Sequence, residues 1–265
     1  MSAPAQSPGA GLDRGYVLHS YPYRETSLIL QAWTERHGRL GLVAKGARRP
    51  RSANRAILVP FQPLALSWFG RGELKTLRTA EPQGPALPLA GEALLAAFYL
   101  NELLLKLTHR DDPHEALWRA YDEAIASLRA LTRPAAAAAA PGVGALEPVL
   151  RRFELALLRE LGFALELARE AGGAVPIAAE RDYWYVVERG AVPAEGAGEP
   201  RANAVKLRGL TLLDLERGRL DDTVTAAQAK QLMRLLINHM LDGQELATRS
   251  LVRDLQRLEE PGRAP

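Results

Sequence analysis

Hydrophobic and polar positions alternate with a period of two through the first third of the chain, as in β-strands with one buried face. The alternation is clearest at Leu40 and Leu42 and again at Leu64 and Leu66, so each pair lies on one face of a strand. The predicted strands span residues 14–21, 26–34, 39–45, 57–69 and 73–80. Five short strands in succession favour a small closed barrel, of which the oligonucleotide-binding (OB) fold is the most common nucleic-acid-binding form.

After Pro88 the hydrophobic period becomes that of a helix and stays so through most of the remaining chain. The predicted helices span residues 89–109, 113–131, 146–161, 225–241 and 244–258. A stretch rich in Gly, Pro and Ala surrounds the aromatic residues of segment 183–187, which predicts an irregular lobe with one strand. The sequence therefore predicts an α+β protein, with an N-terminal five-stranded OB barrel followed by an α-helical bundle and a small irregular lobe.

The same patterns predict where the domains begin and end. Residues 1–13 are predicted to be a disordered tail, residues 14–82 the OB domain, and residues 83–265 the helical domain. Within the helical domain, an alanine tract bracketed by prolines predicts a linker over residues 134–145, and the inserted lobe is predicted over residues 167–209.

Charge is distributed unevenly along the chain. Residues 1–80 contain 12 Lys and Arg against 4 Asp and Glu, a net charge of +8, whereas the remaining residues sum to −5. A basic N-terminal domain indicates a polyanionic partner. The chain has no cysteine, which excludes disulfides and thiolate metal ligands and fits a reducing cytosol. Polar residues interrupt the most apolar stretch, and the first residues lack the pattern of a signal peptide, so we expect a cytoplasmic protein without a membrane span.

The basic loop that follows the third predicted strand is the main candidate for binding nucleic acid. Its guanidinium and ammonium groups can neutralise phosphates, and a glycine allows close approach of the backbone. The predicted DNA-contacting residues are Arg39, Lys45, Gly46, Arg48, Arg49, Arg51, Arg55, Arg71, Lys75 and Arg78. The alternative is a solvated basic loop, which would leave the basic character of the whole barrel unexplained. Arg39 is compatible with either side of the barrel.

Bases of a single strand stack on exposed aromatic side chains, so the aromatic residues of the barrel are also candidates. Trp68 shares a strand face with apolar residues and is predicted to be buried. Tyr23 and Phe69 are the two candidate stacking platforms, and the sequence does not choose between them.

Catalytic signatures are weak. The five histidines are dispersed, and the sequence contains neither an HExxH motif nor a phosphate-binding loop of the GxxxxGK[ST] type. We therefore expect a protein that is not an enzyme and that uses no metal and no cofactor. A nuclease with magnesium held by Glu25, Glu35 and Glu73 is the alternative, which the wide spacing of these acids disfavours.

Several segments together resemble one protein family. The segments, in chain order, are Gly-Tyr-Val-Leu at 15–18, Tyr-Arg-Glu-Thr-Ser-Leu-Ile-Leu at 23–30, 34–38, Val-Ala-Lys-Gly-Ala-Arg-Arg at 43–49, Pro-Phe-Gln-Pro-Leu at 60–64, 74–77, 99–103, 152–162 and Thr-Arg-Ser at 248–250. Their order and spacing resemble the RecO family of bacterial recombination mediators, which act in the RecF pathway of DNA repair. The resemblance extends over the whole chain.

This resemblance implies an OB fold, a helical bundle with an inserted lobe, and a nucleoid-associated protein that binds single- and double-stranded DNA. It further implies annealing of complementary strands, binding of the C-terminal tail of the single-stranded DNA-binding protein (SSB), and cooperation with RecR in loading RecA. Many family members hold zinc with four cysteines in the lobe, but segment 167–173 contains none. No zinc site is therefore expected here.

The resemblance also requires a site for the acidic SSB tail in the helical domain. Arginines beside an apolar slot suit a terminal carboxylate, and the predicted tail-binding residues are Arg151, Arg152, Phe153 and Arg159. An ordinary amphipathic helix with a basic outer face is the alternative for this segment. For the whole chain, the alternative function is general nucleic-acid binding by the OB fold, including RNA.

Overall fold

The computed structural model describes residues 11–85, 87–132, 145–163, 165–195 and 203–259. The chain divides into two compact units, of which the first comprises Met1–Thr132 with Ala247–Pro265 and the second Arg133–Leu246. Most of the predicted tail, and the predicted linker except residue 145, lie outside the described residues.

The first unit begins with a closed five-stranded barrel. Its strands are β1 (Asp13–Tyr23), β2 (Ser27–Thr34), β3 (Gly38–Ala44), β4 (Leu64–Phe69) and β5 (Leu74–Pro82). The strand order is β1-β2-β3-β5-β4, with β1 pairing with β4 to close the barrel. All neighbours are antiparallel except β3 and β5, which run parallel. This confirms the predicted OB barrel.

The fourth strand is shorter than predicted. Residues 57–63 do not belong to it, because the short helix α1 (Asn54–Ile57) lies there and a nonrepetitive segment with a left-handed backbone at Phe61 follows. Pro60 and Pro63 flank that residue, and proline cannot donate to a strand ladder. The predicted strand from residue 57 is therefore wrong in its first seven residues.

Alternating side chains of the five strands fill the barrel. Leu30, Leu40, Leu42 and Leu64 are fully buried, and Trp68 lies in the same core at 2% exposure, as predicted. This burial leaves the other face of each strand available for contacts outside the barrel.

Three helices complete the first unit. They are α2 (Gly91–Leu107), α3 (Glu115–Thr132) and α7 (Ala247–Glu259). The Glu102 carboxylate on α2 accepts hydrogen bonds from the backbone N–H groups of Ala247 and Thr248 and from the Thr248 hydroxyl, at 2.7–2.9 Å. A carboxylate at a helix N-terminus satisfies backbone donors that lack partners within the helix. The last helix therefore begins three residues later than predicted, where Glu102 caps it.

A buried polar network joins the barrel to α2 and α3. The Asn101 side chain donates to the Leu18 carbonyl at 2.8 Å and accepts from the Tyr121 hydroxyl at 2.6 Å. At the edge of this network, the Tyr16 hydroxyl donates to Asp122 at 2.5 Å. Burial, with this bond to Asp122 as the second cause, raises the pKa of Tyr16 well above its usual value. These bonds satisfy polar groups that would otherwise be costly to bury.

The second unit combines helices with a small sheet. Its helices are α4 (Leu146–Glu160), α5 (Gly209–Glu216) and α6 (Thr223–Met240), and its strands are β6 (Asp182–Val186), β7 (Gly190–Pro193) and β8 (Ala204–Arg208). The sheet is antiparallel with the order β7-β6-β8. The lobe therefore has three strands where the sequence predicts one, and α5 is an additional helix.

The aromatic residues of β6 anchor this sheet. Tyr183 and Tyr185 are almost fully buried in one apolar core with Leu158 of α4 and with Leu232 and Leu236 of α6. Burial is the main cause that raises the pKa of Tyr185 to about 12. Within the described ranges, every helix is too short or too polar to span a bilayer.

Replacing Asn101 with alanine tests the network that joins barrel and helices. N101A leaves the Leu18 carbonyl and the Tyr121 hydroxyl without their buried partner, so we expect the free energy of unfolding to fall by about 2 kcal/mol. Urea denaturation followed by tryptophan fluorescence measures the change. S127A, on the exposed face of α3, is the control and should have little effect. Equal stability of the two variants would contradict a structural role for Asn101.

Candidate nucleic-acid interface

The basic loop between β3 and α1 is anchored to the barrel by its own small residues. Ala47 is fully buried in the barrel core, which directs its neighbours Lys45, Arg48 and Arg49 to solvent. The Arg48 backbone N–H donates to the Thr26 carbonyl at 2.8 Å. This bond holds the loop against the turn between β1 and β2.

Gly46 gives the loop its turn. Its φ of +67° lies in the left-handed region, which residues with a Cβ adopt at a cost. The Gly46 carbonyl accepts from the Arg49 backbone N–H at 3.1 Å. The glycine is therefore needed for the fold of the loop, independently of any approach to nucleic acid.

Basic side chains from other elements join the loop at this end of the barrel. Arg24 lies in the β1–β2 turn, and its guanidinium carbon is 5.2 Å from the centre of the Tyr23 ring. The parallel pairing of β3 with β5 includes Val43 with Thr76, and continuing this register places Arg78 of β5 level with Lys45, the first residue after β3. Residues that are distant in sequence therefore form one positive surface.

We call this surface the basic cluster. Its members are exposed Arg and Lys side chains of the β1–β2 turn, the loop, α1 and β5. The members are Arg24, Lys45, Arg48, Arg49, Arg51, Arg55 and Arg78. Among the described residues, no carboxylate forms an ion pair with any of them. Seven unneutralised cations at one end of a barrel produce a strong local positive potential.

Three of the predicted DNA-contacting residues lie at the opposite end. Arg71 is exposed in the β4–β5 turn. Lys75 is mostly buried, and its ammonium donates to Asp111 at 2.5 Å and to the Gly72 carbonyl at 3.3 Å. Arg39 donates to the Thr108 carbonyl at 2.7 Å. Lys75 and Arg39 therefore hold the α2–α3 connection against the barrel, whereas the other seven predicted residues lie together.

Arg39 has a cationic neighbour. Its guanidinium donates to the Gln31 side chain at 3.3 Å, and Arg110 reaches the same Gln31 oxygen at 3.5 Å. Burial, followed by repulsion from Arg110, lowers the pKa of Arg39. Arg110 also lies 3.7 Å from the Glu73 carboxylate, so the two guanidiniums form a second, smaller and partly neutralised concentration of positive charge.

Sequence reasoning missed Arg24 as a member of the interface. It lies outside the basic loop, beside the acidic residue Glu25 in a short turn. In the structure Arg24 lies over Tyr23, and the Glu25 carbonyl accepts from the Arg48 guanidinium at 3.3 Å. The available signal was the turn itself, because OB folds commonly bind ligands with the loop between the first two strands.

The predicted tail-binding residues of α4 do not share one surface. Arg151 is buried, donates a hydrogen bond to Glu154 at 2.9 Å and forms an ion pair with the same carboxylate at 2.8 Å. Phe153 is buried in the second unit at 1% exposure. Arg152 and Arg159 are exposed, and Arg159 lies 3.7 Å from Glu216. Two of the four residues therefore belong to the interior, and the apolar slot expected between them is not formed by these residues.

The acidic residues of the barrel are also dispersed. Glu25, Glu35 and Glu73 lie in three different turns. Across the described part of the chain, no group of three or more His, Asp or Glu side chains is positioned to hold a metal ion.

The fold and its basic edge define an OB-fold protein with a helical C-terminal part. The family model described as "Recombination protein O N terminal" matches residues 12–86, and the model "Recombination protein O C terminal" matches residues 89–249. The chain therefore belongs to the RecO family.

Curated relatives are similar over nearly the whole chain. A DNA repair protein RecO from Azoarcus sp. is 46% identical over 92% of this chain and 95% of its own length. That of Ralstonia nicotianae is 49% identical over 92% of this chain and 84% of its own length. That of Laribacter hongkongensis is 43% identical over 98% of this chain and 100% of its own length. The family is one of DNA repair proteins.

The left-handed backbone of Gly46 predicts that alanine is less well tolerated there than at Gly72, a glycine in another loop of the first unit. G46A forces a Cβ into the left-handed region, and we expect it to lower the free energy of unfolding by about 1 kcal/mol. Gly72 has open space around the position of a Cβ and no left-handed φ, so G72A serves as the control and should be neutral or slightly stabilising. Thermal denaturation of both variants gives the comparison, and identical midpoints would contradict the turn described here.

Proposed function

We propose that this chain is a non-enzymatic recombination mediator of the bacterial cytoplasm. It binds single- and double-stranded DNA through the basic cluster, anneals complementary strands, and helps RecR to load RecA onto DNA coated with SSB. The membership of the chain in a family of DNA repair proteins supports this proposal. The single observation that carries it is the basic cluster, whose charges have no ion-paired carboxylate among the described residues.

The physical argument begins with the phosphates. Lysine and arginine side chains that neutralise phosphates release condensed counterions, and this contribution does not depend on base sequence. Arg48, Arg49 and their neighbours lie on a rigidly anchored loop, so their positive charge is held at one edge of the barrel. Two complementary strands repel each other, and a surface that neutralises both lowers this repulsion while they pair. Annealing therefore follows from backbone binding without a catalytic group.

Removing three charges from the loop tests the DNA site. The variant K45Q/R49Q/R51Q keeps Arg48, which is bonded to the β1–β2 turn, and should retain the fold. We expect weaker binding to single strands, a decrease of up to about 2 in the slope of log affinity against log salt concentration, and slower annealing of SSB-coated oligonucleotides. Fluorescence anisotropy over a salt series and a strand-annealing assay provide the measurements.

The matched control removes the same charge from the second unit. R189Q/R217Q/R234Q changes three exposed arginines and should leave the affinity and the salt slope near those of the unmodified chain. If both triple variants lose affinity equally, net charge alone is responsible and the loop is not the site. Equal affinity for RNA and DNA strands of the same sequence would favour general nucleic-acid binding over the mediator function.

The proposed SSB contact uses the two exposed arginines among the four tail-binding residues predicted on α4. Arg152 and Arg159 are seven residues apart and so lie about 10 Å from each other on one helix face. Two guanidiniums at this spacing suit the acidic residues of an SSB tail. Arg151 is excluded from this contact by its buried pair with Glu154.

Substituting these two arginines tests the SSB contact. R152A/R159A should weaken binding of a peptide with the sequence of the SSB C-terminal tail by roughly threefold to tenfold, the range for exposed ion pairs. Isothermal titration calorimetry is the measurement, and R217A/R234A is the control with equal charge loss. An unchanged affinity in R152A/R159A would move the tail site to another part of the chain.

A further inference from the structure

Three aromatic side chains lie on the outer face of β1, two of them exposed and the third, Tyr23, half-buried. His19, Tyr21 and Tyr23 alternate along the strand, and we call them the aromatic row. Tyr21 is 46% exposed, and its ring centre is 4.4 Å from that of His19, edge to face. Exposed rings that lie next to one another indicate an interaction surface more strongly than scattered exposed side chains do.

A β-bulge places these residues on the outer face. The register between β1 and β2 shifts between Val17 and His19, and the buried residue Leu18 lies in the shift. Bulges redirect the side chains that follow them. Beyond the shift, Tyr21 pairs with Ile29 and Tyr23 with Ser27, so the aromatic row lies beside β2.

The outer face of β2 and β3, next to the aromatic row, is partly covered by other side chains of the first unit. Gln31 is 5% exposed because Arg39 and Arg110 both bond to its side chain. Gly41 lies beneath Leu74 and close to the guanidinium of Arg110. OB folds commonly bind strands on this β2–β3 face. Since its centre is covered here, the outer face of β1 beyond the bulge is the more exposed surface beside it.

Positive charge lies at both ends of the aromatic row. At one end, Arg24 lies over the Tyr23 ring and continues into the basic cluster. At the other end, His19 is the cross-strand neighbour of Gln31, to which Arg39 and Arg110 bond. Arg110 is also paired with Glu73, so Arg39 supplies most of the positive charge at this end. Rings flanked by guanidinium groups match a ligand that presents flat π-systems along an anionic backbone.

We propose that Tyr21 and Tyr23, with His19, form a base-stacking platform for single-stranded nucleic acid. This inference rests on the proposed function, because it takes the basic cluster as the phosphate-binding part of the same site. In a duplex the bases are stacked on each other and their faces are not available, so the platform contributes to single-strand binding alone. The basic cluster serves both forms, whereas the aromatic row adds affinity for single strands alone.

Truncation of Tyr21 tests the platform. Y21A should weaken binding to a fluorescein-labelled oligothymidine strand by about fivefold or more, the range for loss of one stacked base, with no change for a duplex of equal length. Y21F keeps the ring and should restore single-strand affinity. F69A removes an equally exposed ring, 51% exposed at the opposite end of the barrel, and should leave both affinities unchanged.

Comparison with K45Q/R49Q/R51Q separates the two proposals. Loss of single-strand affinity in Y21A, with loss of both affinities in the loop variant, supports the platform. Unchanged single-strand binding in Y21A, or equal weakening of both DNA forms, overturns the platform while the loop variant still tests the phosphate site. Unchanged binding in the loop variant overturns the proposed DNA site, and the platform as part of that site fails with it.

A tryptophan reporter gives an independent readout of stacking. Trp33, Trp68 and Trp118 are almost fully buried, and Trp184 is half-buried in the second unit. Y21W therefore places a new, exposed indole on the barrel, where solvent and bases can reach it. Oligothymidine should quench the additional fluorescence of Y21W, and duplex DNA should not. Absence of quenching at saturating single strand would overturn stacking at this position, even if Y21A proved too unstable to assay.

Discussion

The hydrogen bond between Asn101 and the Leu18 carbonyl is the constraint on which the arrangement of the first unit depends. Leu18 lies in the bulge of β1, where the strand ladder is interrupted, and α2 supplies the partner that the carbonyl lacks in the sheet. Tyr121 fixes the same Asn101 side chain from α3. The Asn101 side-chain amide therefore connects the β-bulge of β1 to both α2 and α3. The bulge in turn sets which face of the strand the following side chains occupy.

Positively charged side chains have bonded partners at one end of the barrel and no ion-paired carboxylate among the described residues at the other. At the α2–α3 connection, Lys75 and Arg39 are satisfied by Asp111 and by the Thr108 carbonyl, so these cations stabilise the packing of the first unit. At the basic cluster the charges repel one another without compensation from the described residues. Such an arrangement is unfavourable for the isolated protein, and under the proposed function the phosphates of DNA supply the compensation. Lysine and arginine thus stabilise the packing at one end of the barrel and, under the proposed function, bind DNA at the other.

Hydrophobic periodicity was sufficient to predict the barrel strands and the longer helices. Residues such as Leu40 and Leu42 recur at the spacing of one strand face, and that face is the one buried in the core. Periodicity was insufficient where long-range contacts decide the structure. Short strands β7 and β8 form only beside the aromatic strand β6. Burial of Arg151 depends on Glu154 and its surroundings, although a helical pattern alone places it beside exposed Arg152. Likewise, Lys75 is buried and bonded to Asp111, a residue distant in sequence, whereas Arg78 three residues later on β5 is exposed.

The cap that Glu102 forms on α7 has a consequence for synthesis of the chain. The first unit is discontinuous in sequence, since its last helix follows the whole second unit. On the ribosome, the barrel, α2 and α3 emerge first, but Glu102 meets its backbone partners only after residues 133–246 have been translated. The N-terminal unit therefore completes its folding last, and α2 exposes the surface reserved for α7 throughout that interval.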